Sequence, residues 1–135
     1  MVFTHPYSIG LHDSDAAGVV FLASLIRICH QAYEAMMESI GFGIGKVIQE
    51  RQFGLPIAHV EGDFKRVMRV GDKTEIRLRV TEIKHSSYRV EYEVMLAGKV
   101  AATAATVHVC VDPENYQAKK LPEGLRKKLQ EFVGP

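Results

Sequence analysis

Two carboxylates, Asp13 and Asp15, stand two residues apart in the segment HDSDAAGVVF, ahead of an apolar run that opens at Val19. A carboxylate can attack a carbonyl as a nucleophile, or draw a proton from a water that does so. Either role needs a group that accepts negative charge developing on the carbonyl oxygen. The start of a helix supplies one, because its first amide N–H groups lack intrahelical acceptors and the helix dipole adds positive potential there. With a strand over residues 2–11 and a helix beginning near Phe21 or Leu22, Asp15 lies just upstream of such a spot. Asp and Ser at a junction of this kind also serve as turn and capping residues, and that reading stands beside the catalytic one. Two features favour chemistry at Asp15. The stretch Ala16 to Val20 sets it too far from the helix to cap it, and Gly18 permits a close backbone approach to a ligand. Asp13 is then the structural acid of the pair.

The elements that must position these groups are legible in the spacing. Leu22, Leu25, Ile26, Cys29, Tyr33, Met36, Met37 and Ile40 recur every three or four residues, which predicts one long helix over 22–40. GFGIG stops it, and KVIQERQ adds one or two turns before GLP. From Leu55 the period becomes two. Ala58, Val60, Gly62 and Phe64 alternate with His59, Glu61 and Asp63; two further strands centre on Ile76–Val80 and Tyr88–Val94, with turns at VGDK, KHSS and LAGK. In the last strand, KVAATAATVHVCV, Ala101, Ala102, Ala104 and Ala105 supply so little bulk that another element must pack closely on it. The economical arrangement is α+β, a curved antiparallel sheet wrapped around the one long helix. LPEGLRKKLQEFV reads as a short amphipathic helix, an accessory to this core.

A chain of 135 residues fits one domain spanning 1–135. A formal charge of +1, from 17 basic and 16 acidic residues, gives no global pull toward nucleic acid or a membrane surface. The first residues lack a basic region followed by an apolar core, and no apolar run approaches a bilayer span, so a cytoplasmic location is expected. Cys29 and Cys110 stand alone in apolar surroundings and read as buried free thiols.

Other candidates are plainer. His30 and Glu34, four apart on the helix, make half a metal site at most and read as a surface hydrogen bond. His59 shares a strand face with Glu61 and Asp63, and His108 reads as a satisfied sheet residue. Lys65, Arg66 and Arg69, with Lys84 and His85 at a turn, offer a basic rim for phosphates, or simply solvated charges.

The order of strand, DSDAAGVVF, long helix and meander resembles the hotdog-fold acyl-CoA thioesterases of the 4-hydroxybenzoyl-CoA thioesterase branch, over residues 3–111. Within that branch, HDSDAAGVVF, CHQAYEAMM, LPIAHVEGDF and VHVCV look most like the hydrolases of 1,4-dihydroxy-2-naphthoyl-CoA in phylloquinone and menaquinone synthesis. The resemblance implies Asp15 as the catalytic carboxylate, with the amides of Leu22 and Phe21 polarising the thioester carbonyl. Gly18, Tyr33 and His59 are then expected at the acyl group, His59 against a ring hydroxyl, and Lys84, His85 and Ser86 at the CoA phosphates. It implies no metal and no bound cofactor, coenzyme A being part of the substrate. It also implies a homodimer or homotetramer with active sites between subunits. Two alternatives remain open at this point: a broad short- or medium-chain acyl-CoA or acyl-carrier-protein thioesterase, and a non-catalytic acyl-CoA-binding hotdog protein.

Overall fold

A computed structural model describes residues 1–134. Strand β1 (Phe3–Ser8) leads through a 3-10 turn (Leu11–Asp13) to the long helix α1 (Leu22–Ser39) and the two-turn helix α2 (Ile44–Glu50). Strands β2 (Ile57–Phe64), β3 (Lys73–Ile83), β4 (Ser87–Leu96) and β5 (Lys99–Val109) follow, and α3 (Glu123–Gln130) closes the chain. The five strands form one antiparallel sheet in the order β1-β3-β4-β5-β2. No helix among the described residues is long and apolar enough to cross a membrane.

Alternation explains why α1 and the sheet find each other. Leu25, Ile28, Cys29, Ala32, Tyr33, Met36 and Met37 are buried along one helix face, against Ile76, Leu78 and Val80 of β3 and Tyr88, Val90, Tyr92 and Val94 of β4. Both cysteines are free and buried, and burial pushes the Cys29 thiol up to about 12. The small residues act as expected where the helix comes closest: a Cβ at Gly62 of β2 would lie 3.2 Å from Leu25 and 3.4 Å from Leu22. Gly62 pairs with Ala104 of β5, so two minimal side chains share the place where α1 meets the sheet.

The C-terminal tail is more than an accessory. Leu121, Leu125 and Leu129 are fully buried, Phe132 packs edge-on against Phe3 at 6.1 Å, and the Val80 amide donates to the Phe132 carbonyl at 2.8 Å. Each large apolar side chain so buried contributes about 1.5–3 kcal/mol. The tail therefore completes the core beneath β3.

His108 lies on the inner face between two aromatic rings, 4.2 Å from Tyr33 and 5.2 Å from Tyr88, both stacked. Its Nε2 pairs with Thr106 Oγ1 at 2.8 Å, and Thr106 with the Tyr92 hydroxyl at 2.8 Å. Nδ1 is buried without a hydrogen-bond partner among the described residues. Burial pushes this imidazole down to about 3, reinforced by nearby His30 and opposed only in part by the Leu55 backbone close by. The unfolded chain takes up a proton here near pH 6.5 and the folded chain only near 3, so stability is lost as pH falls through that window. The expected slope for one such proton is about 1.4 kcal/mol per pH unit. Urea melts at several pH values should show a slope in the parent steeper, by up to this amount, than in His108→Gln, which keeps a polar partner for Thr106 but does not titrate. Equal slopes would contradict the assignment.

Candidate active site

The two acids of the opening motif have different surroundings. Asp13 is fully buried and takes the Gly10 amide at 2.8 Å, the Tyr7 hydroxyl at 2.8 and 3.0 Å, and the Arg27 guanidinium from α1. Burial alone would raise its pKa, but the Gly10 amide, the Tyr7 hydroxyl and the Arg27 charge outweigh it and hold the carboxyl below the usual range. Asp13 is thus the bolt that ties β1 and the 3-10 turn to the helix.

Asp15 is exposed at the head of a turn, DAAG, in which the Gly18 amide donates to the Asp15 carbonyl at 3.0 Å and the Asp15 amide to the Val19 carbonyl at 2.9 Å. Gly18 has φ +79°, a conformation that disfavours a side chain and explains the glycine. The carboxylate takes part in the turn: Oδ1 accepts the Ala17 amide at 2.8 Å and the Val19 amide at 3.3 Å. Both bonds fall on one oxygen. Oδ2 has no hydrogen-bond partner among the described residues, so the turn fixes the carboxylate while leaving one oxygen for chemistry.

The chain then runs extended through Val19 and Val20 to Phe21, which precedes α1 without any side-chain cap and with no acidic residue in the first turn. The first intrahelical donor is Leu25, to the Phe21 carbonyl at 3.0 Å, so the amides of Leu22, Ala23 and Ser24 keep free donor capacity within the helix. Phe21 and Leu22 themselves are exposed. A fixed carboxylate upstream of an uncapped helix start is the arrangement needed to attack a carbonyl and hold its oxyanion.

The turn is stitched to the loop between β2 and β3. The Val20 amide donates to the Met68 carbonyl at 2.9 Å, the Val70 amide to the Gly18 carbonyl at 3.3 Å, and Val19 bridges Arg69. This brings Lys65, Arg66 and Arg69 to the Asp15 end of the sheet.

Several expected site residues lie elsewhere in the chain. Tyr33 is eleven residues beyond Leu22, roughly 16 Å along the helix, and is buried with its hydroxyl 2.5 Å from that of Tyr88. It borders a cavity of about 340 Å³ with His30, Val47, Phe53 and Leu55, at the other end of α1. His59 does not face the helix. It shares the outer face with Glu61 and Asp63, and its Nε2 pairs with Glu61 at 2.9 Å while Arg89 holds the same carboxylate at 3.1 Å. Period two marked these faces correctly, but nothing in the spacing said which one turns inward. Lys84, His85 and Ser86 form the β3–β4 turn, separated from the Asp15 end by the eleven residues of β3, roughly 35 Å. Within one chain they do not meet Asp15. His30 and Glu34 pair at 3.1 Å, as expected. No local pattern marks Arg27 as the partner of Asp13, since the sequence shows it only as a polar position on the helix.

A helix-wrapping antiparallel sheet with a carboxylate turn at the helix start defines the hotdog class of thioester hydrolases. The chain belongs to the thioesterase-like superfamily, which it matches over residues 9–129. It is 40% identical over 119 residues to a 1,4-dihydroxy-2-naphthoyl-CoA hydrolase of Synechococcus elongatus, covering 87% of this chain and 88% of that one. A protein of the same description from Nostoc punctiforme is 36% identical over 130 residues, covering 96% and 88%. The fold superposes on the crystal structure of a 1,4-dihydroxy-2-naphthoyl-CoA thioesterase from Synechocystis with TM-score 0.91 and 28% identity, covering 100% of both chains.

Proposed function

We propose that the protein hydrolyses 1,4-dihydroxy-2-naphthoyl-CoA to the free naphthoate and CoA, with Asp15 as nucleophile or general base. The observation that carries this is the fixed Asp15 carboxylate, one oxygen unengaged, upstream of the uncapped start of α1. The relatives' substrate supports the choice of acyl group. The thioester carbonyl lies between Asp15 and the amides that begin at Leu22. In one route Asp15 adds to the carbonyl, CoA leaves as thiolate, and water cleaves the resulting anhydride. In the other, Asp15 takes a proton from the water that attacks. Both end in one acid and one thiol per thioester, and no metal enters either route. Chromatography of the reaction mixture alongside a thiol assay tests this. Naphthoate and thiol should appear in equal amounts, and their absence would refute the reading.

The site also needs a second chain. Strand β2 lies at the sheet edge, paired on one side to β5, and leaves Ile57, Val60 and Phe64 exposed. An open edge bearing apolar side chains invites pairing with another copy. Antiparallel pairing of β2 with its counterpart reverses the partner's strand direction and carries the partner's β3–β4 turn toward this chain's Asp15 end. Lys84, His85 and Ser86 reach the substrate only by that route. Light scattering should give at least twice the 15.1 kDa of one chain for active protein. A monomeric active preparation would contradict the shared site.

A further inference from the structure

We infer that Lys65 and Arg66, with Arg69 beside them, hold the phosphates of the CoA portion while the thioester lies at Asp15. The inference rests on the thioesterase reading and concerns the same site. The three cations fall within five residues of a loop whose backbone is bonded to the end of the Asp15 turn at Gly18, Val19 and Val20. All three are exposed, and among the described residues none forms an ion pair. Unpaired cations set so close to a reactive carboxylate have no structural partner to explain them.

The surroundings have the form of a binding site. Lys65 and Arg66 border a cavity of about 260 Å³ whose remaining walls are Val19, Val20, Phe64 and Val67. Val19 and Val20 lead directly from the Asp15 turn to the helix start, so the cavity opens beside the reacting group. An apolar floor with a cationic rim suits the pantetheine arm followed by its diphosphate, the guanidinium of Arg66 matching phosphate oxygens bidentately. The amides of Lys65 and Arg66 both donate to the Ala101 carbonyl, at 2.8 and 2.9 Å, which fixes the backbone from which these side chains extend.

The β3–β4 turn is a poorer candidate. Lys84 is already paired with Glu82 at 3.3 Å, and the carbonyls of Lys84 and His85 are taken by Arg126 of α3. One phosphate site therefore falls on the chain that supplies Asp15.

The test compares an aromatic acyl-CoA with the same acyl group on pantetheine, which carries no phosphate. In a Lys65→Ala/Arg66→Ala double variant, the ratio of kcat/KM for the CoA thioester to that for the pantetheine thioester should fall at least ~10-fold, through KM. Arg66→Lys with Lys65 intact keeps the charge but loses the bidentate contact, so it should lower the ratio by less than the double variant does. An unchanged ratio in the double variant would overturn the inference. If the parent hydrolyses neither substrate, the thioesterase reading fails on its own. Calorimetry with CoA alone then tests the cations separately: the double variant should bind it at least ~10-fold more weakly, and equal binding refutes their role.

Discussion

Asp15→Asn should lower kcat by at least ~100-fold while leaving the fold intact, the scale of loss when a general base or nucleophile is removed. The substitution separates the two duties of this side chain. The Asn carbonyl can still accept the Ala17 and Val19 amides that Oδ1 accepts now, so the DAAG turn keeps its geometry. What disappears is the charge and the unengaged carboxylate oxygen. Asp15→Ala should lose the same activity and in addition about 1 kcal/mol of stability, because the turn amides lose their acceptor. Asp13→Asn should show the opposite balance. Its carboxylate faces Tyr7, Gly10 and Arg27 inside the fold, so the variant should cost about 2 kcal/mol of stability and less activity than Asp15→Asn. Steady-state kinetics with urea melts on all three variants distinguishes these outcomes. Parental turnover by Asp15→Asn would remove the carboxylate from the reaction.

The preference for a flat aromatic acyl group should also be large. Measured kcat/KM for 1,4-dihydroxy-2-naphthoyl-CoA should exceed that for a short aliphatic acyl-CoA by at least ~100-fold, since the lost apolar ring contacts cost on the order of 3 kcal/mol. Exposed apolar side chains are available to the ring near the helix start: Phe21 and Leu22 at the start itself, with Val60 and Phe64 on the edge strand that meets it at Gly62. Phe21→Ala should therefore reduce turnover of the aromatic substrate more than that of the aliphatic one. His59, on the outer face and paired with Glu61, is not placed to read a ring hydroxyl in its own chain, so His59→Ala should leave the preference as it is. A flat profile across acyl groups would favour a broad thioesterase instead.

How much of this was readable beforehand depends on how local each feature is. The helix from Leu22 and the strands around Ile76 and Tyr88 follow from spacing, because burial on one face writes itself into period 3.6 or period 2. The separation of Asp13 from Asp15 is legible in outline, since Asp15 stands too far from the helix to cap it and shares a turn with Gly18, whose φ is positive. The hydrogen bonds from Ala17 and Val19 to Asp15 were not, because an acid in a turn looks the same whether it closes the turn or also faces substrate. Tyr33 kept helical spacing but lay too far down the axis to meet Asp15, a distance that spacing on one face does not convey. The buried stack of Tyr33, His108 and Tyr88 joins three segments distant in sequence, and no local pattern signals it. The same holds for the β3–β4 turn, whose separation from Asp15 becomes apparent only when the length of β3 is laid between them.

The central claim is tested most directly by measuring binding and turnover of 1,4-dihydroxy-2-naphthoyl-CoA side by side on the parent protein. Calorimetry reports the first, and thiol release reports the second. A catalytic Asp15 site predicts thiol release with kcat/KM of about 10⁴ M⁻¹ s⁻¹ or more. Saturable binding of the thioester with no thiol released would contradict the account and identify a hotdog protein that holds acyl-CoA without cleaving it.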